Sequence, residues 1–173
     1  VYGAGESEAM LGKALGKRRR DVVLATKVHA RKGPGPNDVG QSRVHMMQAL
    51  ENSLRELGTD CIDLYQLHWP NRGSYHFRQN WRYDPTGQDT QLTLEHFYQT
   101  LECLGQLVAE GKLRNIGLSN ETCWGSAQFL RIAAENDFPR VVSLQNEYSL
   151  LYRSHDLDLA ELSHHEQVGL LPY

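Results

Sequence analysis

Five short apolar runs, each ending on a polar or aromatic residue and separated from the next by an amphipathic stretch, constrain this chain more than any other feature of it. They are residues 22–27, 61–68, 113–120, 141–146 and 168–173, ending on Lys27, His68, Asn120, Asn146 and Tyr173. Short runs rich in branched side chains read as buried strands. Between the first two, Met47, Leu50, Leu54 and Leu57 recur every three or four residues; between the second and third, Leu94, Phe97, Leu101, Leu104 and Val108 do the same. That spacing puts one apolar stripe of each helix against a sheet. Residues 6–17, 122–135 and 155–166 supply further helices, the last two less cleanly. Strand and helix therefore alternate throughout, which predicts parallel strands with right-handed crossovers.

Two architectures satisfy that alternation, an open doubly wound sheet and a (β/α)8 barrel. A dinucleotide-binding doubly wound sheet places a Gly-rich turn between its first strand and helix, and no G-x-G-x-x-G follows any run here. Gly3 and Gly5 precede a helix, but Val1 and Tyr2 are too short to be its strand. A barrel instead gathers all strand C-termini at one mouth, so that Lys27, His68, Asn120, Asn146 and Tyr173 share a pocket. The barrel is the expected fold. A closed barrel takes about 250 residues and this chain has 173. The expectation is thus an α/β chain forming a portion of a (β/α)8 TIM barrel, one domain over residues 1–173, incomplete at both ends.

Composition narrows the partners. With 18 basic and 21 acidic side chains, nothing favours nucleic acid or an anionic membrane. No run reaches a membrane span and no signal peptide is visible, so a cytoplasmic protein is expected. Cys61, Cys103 and Cys123 lack metal or redox spacing and read as buried reduced thiols. His164-His165-Glu166 reads as an exposed helix end, since no ligand set accompanies it. Residues 69–92 form a long connection directly after His68 and carry Trp81, Tyr75, Phe77 and Tyr83. Connections beyond about 12–15 residues are usually functional or disordered. This one reads either as a lid or substrate wall, or as a polar surface excursion.

Several short strings then resemble the aldo-keto reductase superfamily, and most closely its bacterial Tas-type branch. They are Val1-Tyr2-Gly3 with Gly5-Glu6-Ser7-Glu8, Ala25-Thr26-Lys27, Asp63-Leu64-Tyr65-Gln66-Leu67-His68-Trp69-Pro70, Gly111 to Asn120, Gln145-Asn146 running on to Ser154, and Leu171-Pro172-Tyr173. Their order and spacing carry the resemblance from residue 1 to residue 173.

The resemblance implies reduction of an aldehyde or ketone by hydride from NADPH, with a small-molecule carbonyl substrate and no metal. Tyr2 matches the family's acid. Its phenol has an ordinary pKa of about 10, and Lys27 matches the cation that lowers it. His68 matches the residue that hydrogen-bonds the carbonyl. Ser119, Asn120 and Gln145 match the groups that orient the nicotinamide carboxamide, and Tyr173 matches the ring stacked against it. The family also pairs its lysine with an aspartate upstream of the tyrosine, and holds the cofactor phosphates after its seventh strand; neither part falls within this sequence. NADPH preference is accordingly inherited from the resemblance.

Taken singly, each residue has a plainer reading. Lys27 can end a strand in solvent, His68 can be a hydrogen-bonded core histidine, Ser119-Asn120 can cap a helix, and Tyr173 can be a packing aromatic. Two other functions fit the same fold: a slow, cofactor-sensing regulatory subunit like the potassium-channel β subunits, and an inactive truncation.

Overall fold

The alternation folds in the order in which it is written. The computed structural model describes residues 5–173. Helix α1 (Glu6–Leu15) leads through a 3-10 turn (Gly16–Asp21) to β1 (Ala25–Val28), followed by α2 (Arg43–Leu57), β2 (Ile62–Leu67), α3 (Thr90–Ala109), β3 (Leu113–Ser119), α4 (Cys123–Glu135) and β4 (Val141–Gln145). A second 3-10 turn (Ser154–Asp156), α5 (Leu159–His165) and β5 (Gly169–Leu170) follow. The strands form one sheet in sequential order, every neighbouring pair parallel. A doubly wound sheet reverses its order at a switch point; sequential order is that of a partial (β/α)8 barrel.

Local chemistry sets the helix limits. Ser42 accepts from the His45 N–H at 3.2 Å to start α2, and Gly58 closes that helix in the left-handed region, φ 62°. Asp89 accepts from the Leu92 N–H at 3.0 Å at the start of α3. Thr122 accepts from the Gly125 N–H at 3.2 Å at the start of α4. Each bond satisfies a backbone donor that the first helical turn leaves over. The stripes then bury Met46, Leu50, Leu54 and Leu57 on α2, and Phe97, Leu101, Leu104 and Leu107 on α3. Met47, Leu94 and Val108 are only partly buried at their margins. Leu50, Leu101 and Leu104 are each at most 1% exposed, and such burial contributes roughly 1.5–3 kcal/mol per side chain.

The sheet has two unlike faces, because side chains alternate along a strand. In the register rows Thr26–Tyr65–Ile116–Val141 and Val28–Leu67–Leu118–Leu144 every residue but Thr26 belongs to the apolar core under the helices, and the Thr26 hydroxyl donates to Glu8 at 2.6 Å. Between them runs the row Lys27–Gln66–Gly117–Ser143–Gly169 on the other face. Gly117 is required there: a Cβ would collide with Ser143 Oγ and come within 3.2 Å of Gln66 Cγ and Leu64 Cδ1.

Some boundaries differ from expectation. The first strand starts at Ala25, not Val22, because the Leu24 N–H donates to the Asp63 carboxylate at 2.8 Å and Val23 stays 82% exposed. Lys27 therefore lies inside β1, which Val28 ends. The last strand is brief, although the Leu171 and Tyr173 N–H groups still donate to Leu144 and Asn146 carbonyls. The last helix starts four residues late, behind the 3-10 turn. Of the cysteines only Cys103 is buried; Cys61 and Cys123 are half-buried, and all three are free. Among the described residues no helix is long and apolar enough to cross a membrane.

Candidate active site at the strand ends

Four of the five predicted strand termini, His68, Asn120, Asn146 and Tyr173, lie just beyond the ends of β2 to β5, while Lys27 stands one residue inside β1. His68 follows β2, and its backbone N–H donates to the Val28 carbonyl at 2.9 Å. Asn120 follows β3 in the left-handed region, φ 57°, a conformation asparagine tolerates better than most residues. From there its Nδ2 donates to the His68 carbonyl at 2.9 Å and to Ser119 Oγ at 3.1 Å, while its Oδ1 accepts from the Tyr173 hydroxyl. The Gln145 carbonyl accepts twice, from Ser119 Oγ at 2.8 Å and from the Asn120 N–H at 3.0 Å. Asn146 Nδ2 donates to the Glu121 carbonyl at 3.2 Å. One hydrogen-bonded chain thus connects the ends of all five strands.

The reading of Ser119-Asn120 as a helix cap is corrected, since Thr122 caps α4 and the two residues before Glu121 finish β3 and turn the chain. Tyr2 lies outside the described residues. Lys27 and His68 sit on adjacent strands, and both are half-buried. Burial lowers the pKa of the Lys27 ammonium. The His68 imidazole is pushed down to about 4, first by burial, then by the Lys27 charge and by His29. It is neutral at pH 7 and so offers one ring N–H and one acceptor.

The long connection is folded across this rim. Ser74 and His76 are buried, and His76 Nε2 lies 3.3 Å from the Glu121 carbonyl. Trp69 stacks on Phe77 with centroids 5.2 Å apart, and Phe77 in turn lies 6.0 Å from the Tyr173 ring. An aromatic run therefore borders the mouth on one side. Phe77 and Arg78 both have positive φ, 56° and 61°, the strained backbone that turns this segment back. Arg72 fixes its base through a bidentate ion pair with Glu121, Nη1 to Oε2 at 3.0 Å, while its guanidinium lies over Phe97 and Trp124. A Cβ at Gly125 would collide with that pair.

Sequence reasoning missed Arg72, Glu121, Gln66 and Ser143. Gln66 had a signal, standing two residues before His68 and hence on the same face. Arg72 and Glu121 had none, because their partnership spans 49 residues.

The Aldo/keto reductase family profile matches residues 1–173. The chain is 39% identical to Protein tas of Escherichia coli (strain K12), over 98% of this chain and 49% of that protein. It is 33% identical to an aldo-keto reductase of Babesia bovis, over 86% of this chain and 55% of that protein. The uncharacterized oxidoreductase YrpG of Bacillus subtilis (strain 168) is 31% identical over 100% of this chain and 50% of its own length. The chain spans about half the length of the curated relatives it matches.

Proposed function

Because the chain belongs to the aldo/keto reductase family, we propose that the whole protein reduces an aldehyde or ketone to an alcohol, taking hydride from NADPH. The observation that carries this reading is the connected rim of Ser119, Asn120, Gln145 and Tyr173, with a neutral His68 beside it. Bound there, the cofactor supplies the hydride.

The residues present fit its nicotinamide end. The Gln145 side chain supplies an amide, and Ser119 Oγ and Asn120 Oδ1 supply acceptor oxygens, of the kind a carboxamide needs, while the Ser119 and Asn120 donors hold the rim together. The Tyr173 ring is 43% exposed at the same rim. Asn120 Oδ1 now holds the Tyr173 hydroxyl, so a carboxamide N–H competes with that hydroxyl for one acceptor, and winning it releases the tyrosine ring to stack.

His68 donates its ring N–H to the substrate carbonyl and keeps donating as negative charge grows on that oxygen. Tyr2 gives the proton that completes the alcohol. Lys27 favours loss of that proton by stabilising the phenolate, and its own lowered pKa reflects the partly dry surroundings that strengthen such an interaction. The aromatic border of Trp69 and Phe77 favours an apolar or aryl carbonyl.

The test is Tyr2→Phe in the complete protein, with kcat and the NADPH dissociation constant measured together. General acid catalysis is worth about 10²–10⁴-fold, so kcat falls by that order while NADPH affinity changes little. Unchanged turnover overturns the assignment. A parallel NADH titration, followed by tryptophan fluorescence, reads the cofactor preference.

A further inference from the structure

A cavity of about 390 Å3 opens on the same rim, outside the strand mouth, where the starts of α3, α4 and α5 meet the long connection. That size falls within the range of about 300–1,000 Å3 typical of small-molecule sites. Tyr75, Tyr83, Trp124, Cys123 and Asp158 stand in its wall. The two tyrosine rings meet edge to face with centroids 6.0 Å apart. Trp124 already takes the Arg72 guanidinium over its ring, 5.4 Å from the centroid.

The charge balance of the wall is one-sided. Arg72 is spent on Glu121. One N-terminal donor of α3, the Leu92 N–H, is taken by Asp89, and one of α4, the Gly125 N–H, by Thr122. Asp158 is exposed, does not cap α5 with its side chain, and forms no ion pair among the described residues. Its field is felt by three neighbours: burial first and Asp158 second raise the Tyr75 hydroxyl, burial first with Asp158 and Glu161 next raises the Cys123 thiol, and at His155 the Asp156 and Asp158 charges oppose the larger lowering by burial. Aromatic side chains sharing a cavity with a carboxylate that makes no ion pair suit alkylated ammonium groups, whose positive charge is spread over C–H surface.

We infer that this cavity binds an organic cation, an ammonium carrying methyl or aryl groups, with Tyr75, Tyr83 and Trp124 against its apolar surface and Asp158 against its charge. The cation here is distinct from the carbonyl substrate and from the nicotinamide cofactor. Its binding is therefore independent of the catalytic reading.

The test is calorimetric titration of benzyltrimethylammonium and of choline into the full chain at fixed ionic strength without cofactor, with 3,3-dimethylbutan-1-ol as the uncharged match for choline. Both cations bind saturably, choline about tenfold or more tighter than the alcohol, as cation–π and carboxylate recognition require. Asp158→Asn removes most of that preference, and Tyr83→Leu weakens both cations. Asp158 is exposed, so its amide variant keeps the fold, which circular dichroism checks. Equal affinity for choline and the alcohol, absence of saturable binding by either cation, or wild-type binding by Asp158→Asn overturns the proposal.

Discussion

The two ends of the same five strands treat buried polar groups in opposite ways. At the N-terminal end Asp63, 6% exposed, is surrounded by donors: Arg19 at 2.8 Å, Arg114 at 2.9 Å and the Leu24 N–H at 2.8 Å. Towards the C-terminal end Gln66 Nε2, Ser143 Oγ and Asn146 Oδ1 are buried without a hydrogen-bond partner among the described residues. Buried polar atoms are normally paired, so the contrast separates a region built to hold from one built to receive. Barrels divide labour in the same sense, with stability at the strand N-termini and chemistry at the C-termini.

Asp63→Ala is the largest blow available at the holding end. It strands Arg19 in a half-closed site without its carboxylate, and breaking such a pair costs about 3 kcal/mol or more. Thermal unfolding then shifts down by roughly 6–12 °C for a chain of this size. NADPH affinity, read at a temperature where the variant is folded, stays close to that of the parent. Loss of cofactor binding with an unchanged melting temperature would reverse the roles of the two ends.

At the receiving end the matching change is Asn120→Ala, compared with Asn120→Gly. Both remove the links to the His68 carbonyl and the Tyr173 hydroxyl, and both weaken NADPH. Only alanine also carries the cost of a left-handed backbone, about 1–2 kcal/mol, so Asn120→Gly is the more stable of the two by about 1 kcal/mol in denaturant titrations. Equal stabilities would mean that the strand end is not held at φ 57°.

Much of this was legible beforehand. Apolar stripes located α2 and α3 and short branched runs located the five strands, and the positions of His68, Asn120 and Tyr173 at run ends placed them on one rim. Ser42, Asp89 and Thr122 act over three residues, a distance at which local chemistry decides. Local chemistry stops short at β1, where a carboxylate 39 residues away takes the Leu24 N–H and ends the ladder that Val22 and Val23 suggest. The same limit hid the row Lys27–Gln66–Gly117–Ser143, since facing partners are defined by register and not by sequence. It also made Ser119-Asn120 resemble a cap, when the cap stands two residues on.

Acidity separates the two ends as well. His68 titrates near 4 but near its ordinary value of about 6.5 in the unfolded chain. As pH falls from about 6.5 towards 4 the unfolded state takes up a proton that the folded state refuses, so stability falls across that window and levels off below it. Asp63 acts lower: burial raises its carboxyl, but the Leu24 N–H, Arg19 and Arg114 outweigh this and hold it below the usual range. Its contribution is complete above about 4 and is lost as pH drops through the folded value. Asp63→Ala therefore flattens only the lower window. Lys27→Met acts on the upper one, where burial is the main cause and the ammonium the second, so the His68 midpoint followed by proton NMR rises part of the way towards 6.5. A midpoint that does not move places the lysine charge out of reach of the imidazole, and one that returns fully to 6.5 makes charge, rather than burial, the force that keeps His68 neutral.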